Sequence, residues 1–173
     1  RLLLGLLDVD QGSAQVLGFD TKKQPDEVRM RSGALLEHHG LYERLSAADN
    51  LEYYGRIWHM SKADREKRIR ELLEPLGLYD RRTEPIGRWS RGMKQKLAVA
   101  RTLMHRPELI FLDEPTTGFD PSARRGAWEM IEQLREVGAT VLLTTHYMDE
   151  AEHLADRIVV ISGGVIAAEG SAA

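Results

Sequence analysis

Two adjacent acids, Asp113 and Glu114, follow the apolar run Leu-Ile-Phe-Leu at positions 109–112. An apolar run halted by acids and Pro115 reads as a buried parallel strand. Open parallel sheets bind ligands beyond the carboxyl ends of their strands. There, one carboxylate can hold Mg²⁺ while its neighbour polarises a water for in-line attack on a phosphate. His146 closes a second apolar run, Val-Leu-Leu-Thr-Thr, and would lie near both acids if the two strands are neighbours. A histidine there can hydrogen-bond a phosphate oxygen or the attacking water. Ser90-Arg91-Gly92-Met93 opens a helical pattern. The unpaired N–H groups and partial positive charge of a helix start suit a phosphate; Ser90 can add its hydroxyl and Gly92 can admit close approach. Each feature also has an ordinary explanation: acids are common in turns, histidines at strand ends, and serine at helix starts. The other histidines, among them His38 and His39, lack metal-ligand spacing and read as loop residues.

The elements that would carry these groups alternate. The run ending at Gly18 and residues 33–37 are candidate strands, and residues 21–31 form a polar connection between them. Ser46 with Asp49 three residues on predicts a helix to about Met60. Ser61 opens another over 62–76, with Ile69, Leu72, Leu73 and Leu76 at helical spacing and Gly77 as its stop. Residues 80–89 form a connector. Leu97, Ala100, Arg101 and Met104 mark an amphipathic helix from Ser90, ended by Pro107. Residues 121–137 are helical, 140–144 a buried strand and 149–154 a short helix. A glycine-turn hairpin follows around Gly163-Gly164. Helix and buried strand in alternation imply an α/β fold with a mostly parallel sheet covered by helices. Residues 47–89 are helical without a buried-strand signal and read as an inserted helical subdomain.

Composition narrows the classes. The 173 residues are 42% hydrophobic and 29% charged, which is globular rather than disordered. They contain no cysteine, which excludes disulfides and thiolate chemistry. A net charge of -3 gives no general attraction to nucleic acid. No apolar run approaches the ~20 residues of a membrane-spanning helix, so the reading is a soluble, intracellular chain.

Taken in order, these motifs resemble the nucleotide-binding cassette of ABC transporters, a P-loop NTPase-like fold. WSRGMKQKLAVARTLMHRPELIFLDEPTTGFDP is similar to that family's signature motif, Walker B strand and D-loop. LLTTHYMDEAEHLADRIVVISGG resembles its H-loop region, and GALLEHHGLYERLSAADNLEYYGRI its Q-loop and the start of the helical subdomain. The resemblance covers essentially the whole chain, residues 1–173. It implies that Ser90 and Gly92, within Ser90-Arg91-Gly92-Met93, contact the γ-phosphate of ATP bound on the opposite cassette of a dimer. It implies Asp113 as the Walker B acid supporting Mg²⁺ and Glu114 as the general base or water-positioning glutamate. Asp120 becomes the D-loop aspartate linking the two sites, and His146 the switch histidine at the γ-phosphate. Arg91 replaces the usual first glycine of the signature and Met93 a frequent glutamine. RGMKQKL resembles the ABC-2-type exporters, which include drug-resistance and sodium-efflux systems. Glu37 aligns with the Q-loop glutamine, and its carboxylate can still reach Mg²⁺, directly or through water.

One expected part is missing from these 173 residues. None of Lys22, Lys23, Lys62, Lys67, Lys94 and Lys96 follows a glycine, so the phosphate-binding loop G-x-x-x-x-G-K-[ST] does not occur among them. The family carries that loop just before the helix that RLLLGLL resembles, and its adenine-stacking aromatic also lies upstream. The run RLLLGLL, without a capping residue, reads as the inside of a helix whose start is upstream, and the chain as an N-terminally incomplete cassette. Such a chain should be a poor ATPase alone and expose an apolar sheet edge. The expected whole is the ATP-hydrolysing subunit of a multidrug or ion exporter, lying peripherally at the cytoplasmic face of the cell membrane. Its partners would be a membrane-spanning permease and a second cassette. Tyr53, Tyr54, Ile57 and Trp58 offer an aromatic permease-contact face, or packing within the subdomain. An alternative is a non-catalytic cassette remnant acting as a binding or regulatory module. A cassette ATPase of chromosome maintenance fits less well, because no sustained heptad separates Glu37 from Ser90.

Overall fold

A computed structural model describes residues 1–35, 40–117, 119–136 and 138–171; Glu37, His38 and His39 lie outside them. A three-stranded parallel sheet, ordered β3-β4-β5, forms its centre: β3 (Ser32–Leu35), β4 (Leu109–Asp113) and β5 (Thr140–Thr144). Leu35 pairs with Leu112, and Asp113 with Thr144, so the last residues of the strands share one end. The α/β class, the parallel sheet and its covering helices are as the sequence implies.

The period-two pattern of β4 assigns its faces. Ile110 and Leu112 are buried with Ala98 and Val99 of α4 (Arg91–Thr102), Met130, Ile131 and Leu134 of α5 (Pro121–Glu136), and Leu154 of α6 (Met148–Leu154). Phe111 points the other way, onto Leu4, Val16 and Val28. Helix α4 is buried on several sides. Its Leu97 and Ala100 join Leu51 of α2 (Ala47–Ile57) and Ile69 and Leu73 of α3 (Lys62–Leu73), in a cluster that Ile86 and Trp89 complete. The helix that begins after Ser90 is thus clamped between the sheet and the helical stretch.

Helix starts follow their capping chemistry. Ser46 Oγ accepts from the Asp49 amide and donates to its carboxylate, and Ser61 does the same with Asp64.

Four local expectations change. Residues 25–31 are not merely a connection but α1 (Pro25–Arg31), a helix with Pro25 at its start and Asp26 and Glu27 in its first turn. RLLLGLL is not helical throughout. Leu2–Leu4 is a 3₁₀ turn, and Gly5 ends it at φ +61°, where an added Cβ would stand 2.5 Å from the Thr21 carbonyl oxygen. The first strand is shortened to β1 (Gln15–Val16), paired with β2 (Phe19–Asp20). The helices from Ser46 and Ser61 end at Ile57 and Leu73, each about a turn early. The closing hairpin, β6 (Ile158–Ser162) and β7 (Val165–Gly170), turns on Gly163 and Gly164, both at positive φ as a two-residue hairpin turn requires. Its Ile161, Val165 and Ile166 are exposed, as is Leu142 of β5. No helix among the described residues is long and apolar enough to cross a membrane.

Candidate active site

At the carboxyl end of β4 and β5 the three expected residues converge. The parallel register sets Asp113 beside Thr144, whose hydroxyl donates to Asp113 Oδ1 at 2.5 Å. Glu114 leaves the strand at φ +46°, a left-handed conformation costing a non-glycine residue about 1–2 kcal/mol. Its amide still donates to the Thr144 carbonyl at 3.0 Å, so one further hydrogen bond runs past the strand. This kink aims the carboxylate along the sheet end. Oε2 accepts from the Thr117 hydroxyl at 2.9 Å, and Oε1 lies 3.4 Å from His146 Nδ1. Both side chains remain about half exposed, at 49% for Glu114 and 55% for His146. The His146 ring leans on Tyr147 at 4.1 Å, and Tyr147 in turn carries the Arg124 guanidinium at 4.1 Å.

Ser90 caps α4, its Oγ accepting the Met93 amide at 3.3 Å. Unlike α2 and α3, this helix has no acid in its first turn, because Met93 stands where Asp49 and Asp64 stand in the other two. No reciprocal carboxylate neutralises its start. Gly92 has no packing reason to be glycine: a Cβ there would meet no heavy atom within 4 Å. A glycine in a helix costs up to about 1 kcal/mol relative to alanine. Arg91 ties this start to the turn after β4, donating to the Thr117 carbonyl at 2.9 Å with its guanidinium 5.4 Å from the Phe119 ring centre. Met93 is partly buried beside the α2–α3–α4 cluster, and its sulfur lies 3.6 Å from an Arg81 nitrogen. Asp120 Oδ1 accepts the Ser122 amide at 2.9 Å and so organises the start of α5.

A second concavity, about 350 Å³, lies between β3, α2 and α4. There Tyr54 donates to the Gly40 carbonyl and stacks under Arg101, and Trp58 stacks on His105 at 4.0 Å. Tyr53 and Ile57 stay exposed. Of the four residues proposed as a contact face, two thus pack inward and two point out.

A family model described as ABC transporter matches residues 1–117. The chain belongs to the ABC transporter family. It is 42% identical over 171 residues to the daunorubicin/doxorubicin resistance ATP-binding protein DrrA of Streptomyces peucetius, spanning 99% of this chain and 52% of that protein. It is 39% identical over 172 residues to the ABC transporter ATP-binding protein NatA of Bacillus subtilis, spanning 99% and 70%. A third relative is the Nod factor export ATP-binding protein I of Cupriavidus pinatubonensis, 41% identical over 170 residues, at 98% and 52%. A solved ATP-binding subunit of an ABC transporter superposes with a TM-score of 0.82 at 29% identity, covering 98% of this chain and 71% of that one. The chain spans about half the length of DrrA and of the Nod factor protein.

Several residues of this cassette site escape a linear reading. Thr144 and Thr117 hold the two acids. Gln95, buried on α4, donates to the Pro115 carbonyl at 3.0 Å and fixes the turn from below. Glu150 is fully buried and accepts from Thr116. Thr116 and Thr117 could have been noticed as hydroxyls beside two acids; nothing in sequence marks Gln95 or Glu150. Among the described residues no group of three or more histidines and carboxylates gathers to hold a metal alone. The carboxylate oxygens of Asp113 still suit Mg²⁺, which usually takes one or two carboxylates and fills its remaining positions with phosphate oxygens and water.

Proposed function

We propose that this chain is the greater part of the ATP-hydrolysing cassette of a membrane exporter, with Glu114 as its general base. The observation that carries this reading is the Glu114 carboxylate, aimed by a strained backbone and held between Thr117 and His146 at the open end of β4 and β5. Strain kept at such a point is characteristic of reactive sites. In the reaction, water attacks the γ-phosphorus of ATP in line, Glu114 takes its proton, and the bond to the β-phosphate oxygen breaks to release ADP. His146 contacts the γ-phosphate and keeps Glu114 in place. Asp113 would hold Mg²⁺, with Glu37, and the bound ion would supply neutralisation of the phosphate charge.

Ser90, Arg91, Gly92 and Met93 present the start of α4 to the γ-phosphate of ATP on a second cassette. Its acid-free first turn and the open space at Gly92 support this, and Asp120 would link the two sites across the dimer. The permease would dock on the concavity beside Tyr53 and Ile57, within the reach of the helical subdomain at 47–89. The cassette would then lie peripherally at the cytoplasmic face of the membrane. A drug as cargo draws on relatives such as the daunorubicin/doxorubicin resistance protein DrrA, and an ion as cargo on the resemblance of RGMKQKL to the ABC-2-type exporters. Positioning of the β- and γ-phosphates needs a lysine-bearing phosphate loop, which these 173 residues do not contain. Hydrolysis is therefore assigned to the full-length protein.

The test is ATP hydrolysis by the full-length protein and by its Glu114→Gln variant. The variant should bind ATP and lose at least about a hundredfold in kcat. A full-length protein without hydrolysis would instead support the non-catalytic remnant, and hydrolysis indifferent to Glu114→Gln would remove Glu114 as the general base.

A further inference from the structure

Glu150 has no part in the chemistry above, yet its carboxylate sits at the meeting point of the elements that perform it. It is fully buried on α6, two residues beyond Met148 and four beyond His146. Its Oε1 accepts two hydrogen bonds, from the Thr116 hydroxyl at 2.7 Å and from the Trp128 indole at 3.0 Å. Its Oε2 is buried without a hydrogen-bond partner among the described residues. Thr116 lies in the turn that begins at Glu114, Trp128 lies on α5 behind Asp120, and Glu150 belongs to the helix that starts just after His146. One carboxylate oxygen thus joins the segments bearing Glu114, Asp120 and His146.

Packing alone accounts poorly for an acid at this position. A buried carboxylate with an unpaired oxygen is costly, and an apolar residue would fill the same space without that cost. What an apolar residue cannot do is accept both donors and so fix the turn against the helix. Among the described residues the turn is also held by Gln95 at the Pro115 carbonyl and Arg91 at the Thr117 carbonyl, both from α4, and by the Glu114 amide at the Thr144 carbonyl of β5. The first two do not reach the segment that carries His146, and the third ties only the first residue of the turn to the strand before it. The Thr116–Glu150 bond joins the middle of the turn to the helix after His146.

We infer that Glu150 is a positioning residue, which sets the separation of Glu114 and His146 through Thr116 and Trp128. This rests on the proposed roles of Glu114 and His146. Misplacing a catalytic group by about 1 Å can cost a hundredfold in rate, so a buried bond that sets a 3.4 Å contact is a sensitive point.

The experiment uses the full-length protein with Thr116→Val, Glu150→Gln and Glu150→Ala, measuring kcat and KM for ATP and the NMR resonances of the His146 ring. Thr116→Val keeps side-chain shape and removes only the donor. It should lower kcat about tenfold or more, leave KM within twofold and move the His146 resonances. Glu150→Gln, whose amide oxygen can accept both donors, should retain more activity than Glu150→Ala. A kcat for Thr116→Val within twofold of the parent overturns the inference. So does a lowered kcat with unmoved His146 resonances. If the parent itself hydrolyses no ATP, the reading as an ATPase fails separately, and the His146 resonances alone decide whether Thr116 and Glu150 hold the pair.

Discussion

Asn50 offers a quantitative test of how the chain beside the second concavity is held. It is fully buried in the first turn of α2. Its Oδ1 accepts the Tyr42 amide at 2.8 Å, and its Nδ2 donates to the carbonyls of Tyr42 at 3.0 Å and Ser46 at 2.9 Å. Asn50→Leu keeps the volume roughly and removes all of these bonds. Each buried hydrogen bond is worth about 1 kcal/mol net, so the loss should be about 3 kcal/mol. The figure stays near that sum because the Ser46 carbonyl keeps the Asn50 amide at 3.0 Å, and the Tyr42 groups can still find water. With an m-value of about 2 kcal/mol/M, the urea midpoint should fall by about 1.5 M. Equilibrium unfolding of the full-length protein measures this, and hydrogen exchange at the Tyr42 amide reports it locally. A loss below about 0.5 kcal/mol would refute the account, because residue 42 would then be fixed by something other than Asn50.

Gly33→Ala would place a Cβ 2.8 Å from the Thr102 carbonyl oxygen and should destabilise by about 1–3 kcal/mol, read from the thermal midpoint. Burial pushes the His105 imidazole below its usual range, aided by Arg101 and Arg68 and opposed by the Ser32 carbonyl. The unfolded chain therefore takes the proton first as pH falls below about 6.5, and stability is lost on acidification from there down to the lower folded value. The stability advantage of the parent over His105→Gln should accordingly shrink between pH 7.5 and pH 5.5 in urea titrations. Ser61→Ala should cost about 1 kcal/mol, whereas Ser90→Ala, with its longer 3.3 Å cap, should cost less while reducing ATP turnover. Equal effects of the two on turnover would remove the special role given to Ser90.

The candidate site was legible in sequence to the extent that strand ends could be recognised. Asp113, Glu114 and His146 each terminate an apolar run, and adjacent parallel strands must bring their carboxyl ends together. Period and capping likewise placed α3 and α4 at their observed starts. The helix at Pro25–Arg31 was missed because only Val28 in it is buried, so no apolar stripe marks it. The Glu37 reading falls outside the described residues.

The sequence by itself determined which groups were available: a pair of acids, a histidine and an acid-free helix start, each at the end of an element with a clear period. It also determined the family, through the order of those motifs. Only the tertiary structure decided which contacts aim them. The left-handed backbone of Glu114, the Thr117 and Thr144 hydroxyls on the acids, and the Glu150 carboxylate under the turn depend on residues brought together from different elements. Local propensity extends over a few residues, whereas the Thr116–Glu150 bond joins positions 34 apart in sequence. It forms only because α6 is seated against the same core as β4.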